Sequence, residues 1–178
     1  MYDTNSVRDA IASLLKLSPG SVARKFDFDP FAFSIDFGGL GFQGVSTQQF
    51  VIPADYGFAI CAQSAIEVPT PGPETPFGSG IDAVNVPIII TLSDSDSGVG
   101  ISNTPIPLDA WFGTAIRPFI LPIPKILSPH AQMTCIAQSV EGDPLTQLGF
   151  DQLRLTFHGL KVTGEWKRLK DRVALVTQ

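Results

Sequence analysis

The chain has 178 residues, 44% hydrophobic and only 16% charged, where soluble domains average about 25% charged. Gly (16) and Pro (15) at this density interrupt long helices and exclude a helical bundle, while the apolar runs between them carry enough buriable surface to exclude disorder. The net charge of −5 is uneven: residues 1–160 hold seven Lys/Arg and 15 Asp/Glu, a net of −8, whereas 161–178 net +3, so the body repels nucleic acid and only the tail attracts phosphate.

In chain order, Asn5 or Ser6 caps a helix on which Val7, Ala10, Ile11, Leu14 and Leu15 recur at helical spacing, and Ser18-Pro19-Gly20 ends it. From residue 26 the period changes to two. Phe26, Phe28, Phe31, Phe33, Ile35 and Phe37 alternate with Asp27, Asp29, Ser34 and Asp36, with a break at Pro30 where the ladder loses a donor. Further strands are predicted over Thr47–Ile52, Tyr56–Val68, Val84–Leu92, Arg117–Ile126, Gln132–Gln138 and Leu153–Val162. Between them, Pro69–Pro76 reads as a stiff surface loop and Ser93–Gly98 as a polar turn. In the last strand Leu153, Leu155 and Phe157 share one face, then the apolar phase moves to Leu160 and Val162. A bulge at Gly159 would produce that exchange.

Many short strands without alternating helices predict an all-β antiparallel sandwich, jelly-roll-like in connectivity, with a short N-terminal helix and an extended C-terminal tail. The implied division is a helical arm over 1–25, the β-sandwich over 26–162 and a basic tail over 163–178. No signal peptide is visible after Met1, and no apolar run approaches the roughly 18 residues of a membrane span, so a cytosol-like compartment is expected and no membrane partner.

Chemical motifs are sparse. Gly39-Leu40-Gly41-Phe42-Gln43-Gly44 matches a dinucleotide fingerprint in letters, but the β-branched, polar run after it does not open a helix. Asp94-x-Asp96-x-Gly98 resembles the start of a calcium loop, yet the twelfth position, which needs a bidentate acid, is Pro105. Asp27 and Asp29 share a strand face with no nearby base or nucleophile and read as solvated. Cys61 and Cys135 stand in apolar contexts as buried thiols, without the ligand cluster zinc requires. His130 follows Ser128-Pro129 in a turn, and His158 sits on a strand face with Thr156. No nucleophile elbow is present. The expectation is a non-enzyme with no metal and no cofactor.

Surface character remains. Pro105, Pro107, Trp111, Phe112, Pro118, Phe119, Pro122, Pro124 and Pro129 lie within one short segment. Such stiff apolar segments lose little entropy on docking, and Trp and Phe anchor interfaces. The expected interface residues are Leu14, Trp111, Phe112 and Phe119, with Lys167, Arg168, Lys170 and Arg172 of the tail.

The stretches Ile52–Phe58, Ser102–Asp109, Arg117–Pro122 and Leu153–Gly159 resemble the jelly-roll cement or decoration proteins of tailed bacteriophage virions, over approximately residues 26–162. The resemblance implies a non-enzymatic, homo-oligomeric virion protein, made in the host cytoplasm, that docks on the major capsid protein or other virion proteins. A receptor- or carbohydrate-binding module of a tail or baseplate is the alternative.

Overall fold

The computed structural model describes residues 4–38, 40, 44–69, 87–95, 104–140 and 150–166. Helix α1 (Thr4–Leu15) ends where Lys16 takes a left-handed φ of 50° and the Leu17 amide donates back to the Ala12 carbonyl at 2.9 Å. A second helix, α2 (Pro19–Lys25), follows at once. The sequence reading treated Ser18-Pro19 only as a stop. It is also a start, because the Ser18 hydroxyl accepts the Ser21 amide at 3.3 Å and proline fits the first helical turn.

The strands are β1 (Phe26–Gly38), β2 (Val45–Val51), β3 (Tyr56–Pro69), β4 (Ile88–Asp94), β5 (Ile106–Pro107), β6 (Phe119–Leu127), β7 (Gln132–Ser139) and β8 (Phe150–Gly164), with a short helix α3 (Leu108–Trp111) after β5. They form two four-stranded antiparallel sheets, ordered β1-β8-β3-β6 and β2-β7-β4-β5. The all-β class and the N-terminal helix expected from the sequence are present. The proline loop beyond Pro69, most of the 39–44 glycine string, Asp96, Gly98 and the tail from 167 lie outside the described residues.

Two apolar clusters explain the phase changes in β1 and β8. The main core lies where the sheets meet: Ile35, Phe37, Phe58, Leu155 and Phe157 of the first sheet with Phe50, Ile88, Ile90, Met133 and Cys135 of the second. Phe33 stacks on Phe50 across the two sheets with ring centres 4.8 Å apart. The second cluster occupies the opposite face of the first sheet, at one end. There Val7 and Ile11 of α1 and Val22 of α2 cover Phe26, Ala59, Cys61, Leu160, Val162 and Trp166.

A strand whose two halves face different cores must change apolar phase without any extra residue. The β1–β8 register accordingly runs unbroken from Phe26↔Gly164 to Gly38↔Gln152, straight through Pro30↔Leu160. The register has no break at Pro30, and β8 carries no extra residue at Gly159. Pro30 is tolerated because β1 is an edge strand. The irregularity belongs to β3, whose partners on β8 pass from Ile60↔Gly159 to Ala62↔His158, leaving Cys61 as the extra residue. Gly159 is needed for another reason: a side-chain carbon there would land on the Ala59 carbonyl oxygen.

Val7, Ile11 and Val22 are buried, so the helices within residues 1–25 seal part of the chain's own sheet.

Candidate functional site

Among the described residues, the three most exposed large hydrophobic side chains, Ile116, Ile123 and Ile120, lie along one sheet edge. Strand β6 is outermost in the first sheet and pairs only with β3. Its pairing opens in the middle: Lys125 faces Ile60 and Ile120 faces Ala62, so four residues of β6, Leu121-Pro122-Ile123-Pro124, stand against the single Cys61. Two prolines in that stretch have no amide to donate, so the loop leaves the ladder at little cost in hydrogen bonds. Leu121 turns in and packs on the main core, while Ile123 remains 77% exposed.

Before β6, a turn closes by Thr114 N to Arg117 O at 3.0 Å and Arg117 N to Thr114 Oγ1 at 3.0 Å, presenting Ile116 at 86% exposure. Ile120 (73%) and Phe119 (36%) continue the surface. Within 113–124 the one charged residue is Arg117. Lys125, next along the strand, is engaged: its Nζ lies 2.6 Å from Oδ2 of Asp94, whose side chain is fully buried at the end of the core-facing row Ile88, Ile90, Leu92. This ion pair ties β6 of one sheet to β4 of the other. It also gives Asp94 a partner other than the calcium considered from the sequence.

The structure distributes the expected interface residues unevenly. Phe119 lies in the exposed stretch, and Leu14 is 54% exposed on α1, which packs beside β6. Phe112 is not a surface residue. It is buried in the main core with its ring edge-on to Phe157, because the α3 turn directs it between the sheets. Trp111 is half-buried against the same core, and its carbonyl accepts Gln63 Nε2 at 2.7 Å. Lys167, Arg168, Lys170 and Arg172 lie outside the described residues. The sequence reading named Phe119 and passed over Ile116, Ile120 and Ile123. The available signal was Pro122-x-Pro124, which forbids regular pairing and so expels Ile123 from the sheet.

Reactive side chains on the open half of the first sheet's outer face form structural pairs. Arg154 grips Asp36 with Nε–Oδ1 at 2.7 Å and Nη2–Oδ2 at 2.9 Å, a fork that lowers the Asp36 pKa chiefly through that hydrogen bond. Ser34 and Thr156 hydroxyls meet at 3.0 Å. Ser64 Oγ lies 2.8 Å from His158 Nε2, and burial pushes the His158 pKa down. A serine beside a neutral imidazole is the start of a nucleophile, but Ser64 is only 3% exposed. Burial likewise raises the thiols, Cys61 to about 11 and Cys135 to about 12, so both stay protonated and unreactive. His130, with φ 67°, forms the tight turn after Pro129, closed by Ala131 N to Ser128 O at 3.0 Å. No group of three or more potential metal ligands occurs among the described residues.

Comparisons with known protein families, with curated proteins and with solved structures return no match.

Proposed function

We propose that this chain is a non-enzymatic structural protein of a tailed-phage virion, which docks on the assembled coat-protein shell and stabilises it. The observation that carries the reading is the apolar, proline-stiffened edge formed by Ile116, Phe119, Ile120 and Ile123, in which Arg117 is the one charge. An edge strand with apolar side chains in water is a liability unless a partner covers it. Its prolines discourage open-ended pairing of strands while leaving the isoleucines free to enter pockets of a partner.

The pairing pattern supports jelly-roll connectivity. β1 pairs with β8, β2 with β7, β3 with β6 and β4 with β5, four nested antiparallel pairs that describe one long hairpin wound into two sheets. The buried Ser64 and the protonated thiols support a binding role over a chemical one. In this reading the protein forms a homo-oligomer in the virion, with neither a membrane nor nucleic acid as partner.

The test is co-sedimentation with empty coat-protein shells of its phage. Saturable binding that raises the temperature of shell disassembly is expected. Affinity for saccharides with none for shells would instead select the tail-module alternative.

A further inference from the structure

The outer face of the second sheet carries no charge among the described residues. Core-facing positions alternate with outward ones along its strands, and the outward rows align across β2, β7 and β4 as Val45–Gln138–Ile89, Thr47–Ile136–Thr91 and Gln49–Thr134–Ser93. These side chains are Val, Ile, Thr, Ser and Gln alone. In a chain with 29 charged residues and a net of −5, that exclusion demands an explanation. The first sheet's outer face, by contrast, bears the Asp36–Arg154 pair.

From this grid we infer that the face is the contact between two copies of the chain, packed sheet to sheet about a twofold axis. Charge decides the occupant. A partner with a basic surface would be met by acidic residues, which this chain holds in excess. Two copies that each carry a net negative charge repel, and they approach most easily through surfaces from which charge is excluded. A twofold contact also sets each side chain near its own copy, where any charge at the centre would face a like charge.

The polar end of the grid is hydrogen-bonded before it binds. Gln49 Nε2 donates to Thr134 Oγ1 at 3.2 Å, and Gln132 Nε2 to Gln49 Oε1 at 2.5 Å, so little side-chain entropy is left to lose. Strand spacing and rise over β2, β7 and β4 give a footprint of about 14 by 23 Å per copy. That is small beside the ~800 Å² per partner of a standard interface, so the dimer is concentration-dependent and not permanent.

This inference rests on the homo-oligomer of the proposed function, and its failure leaves docking through β6 untouched. Light scattering of the purified full chain over a wide concentration range should show the molar mass rising from 19.1 kDa towards twice that value. Ile136→Lys, at the centre of the grid, should hold the mass at the monomer value. An equimolar mixture of Ile136→Lys and Ile136→Glu should recover the dimer, which a merely misfolded variant would not do. Thr47→Lys, on an exposed edge position, provides a second charge that the fold tolerates. A wild-type protein that stays monomeric throughout overturns the inference. So does a dimer that survives Ile136→Lys and Thr47→Lys, or one abolished by Ile123→Asp alone, since that places the contact at β6.

Discussion

At Gly159 the β3 backbone passes so close that only a hydrogen fits. Gly159→Ala would drive its methyl into the Ala59 carbonyl and force the β3 bulge to shift. A loss of about 1–3 kcal/mol is expected by denaturant unfolding, the range of overpacked sites. Its neighbour His158 provides a pH signature. Burial lowers the folded pKa beneath the ordinary 6.5, so the unfolded chain takes up the proton first as pH falls. Stability from this residue is therefore complete above pH 6.5 and declines below it, towards the lowered folded value. His158→Gln should flatten that decline in the denaturation midpoint when compared with wild type across the same window. For the thiols, with pKa values pushed to about 11 and about 12, labelling at neutral pH should be slow in the native protein and become fast only on unfolding.

At the scale of elements, α1 and α2 function as a lid on the first sheet. Ile11 is fully buried against that sheet, so Ile11→Ala should cost about 2–4 kcal/mol through lost burial and the cavity left behind. A chain beginning at residue 21 would expose Ala59, Cys61, Leu160 and Val162, and it should aggregate, not fold as an independent sheet domain. Size-exclusion chromatography with circular dichroism checks this. A folded, soluble monomer would contradict this role of the helices.

The strands were legible because period-two alternation and turn residues act locally: six of the segments read from the sequence coincide with β2, β3, β4, β6, β7 and β8 within a few residues at each end. What sequence could not resolve was which face meets which core. The shift from Leu153, Leu155 and Phe157 to Leu160 and Val162 looks the same whether an extra residue intervenes or the covering layer changes, and only packing decides. α2 escaped because seven residues show no full apolar stripe, although Ser18-Pro19 bore its start signal.

At the scale of the molecule, the surfaces differ in kind. One sheet face is half sealed by helices and half crossed by polar pairs, the opposite sheet face is free of charge among the described residues, and the β6 edge is apolar. Of the interface residues expected from sequence, Phe119 and Leu14 are exposed, and Phe112 is core. Aromatic type signals buried area without saying whether the burial is internal or against a partner. The prolines of β6 were the more informative residues, because their missing amides act on local geometry directly. Trp111, half-buried against the main core, should lower the melting temperature when truncated to Ala, in contrast with the β6 isoleucines.

The most direct measurement is the affinity of the double variant Ile120→Asp/Ile123→Asp for empty coat-protein shells, determined beside its melting temperature. These side chains are 73% and 77% exposed, so the fold gives up little when they change. Two carboxylates in the centre of a desolvated contact should weaken binding by about 2 kcal/mol or more, with the melting temperature within a few degrees of wild type. Shell binding at wild-type affinity by the double variant would contradict a docking role for this edge.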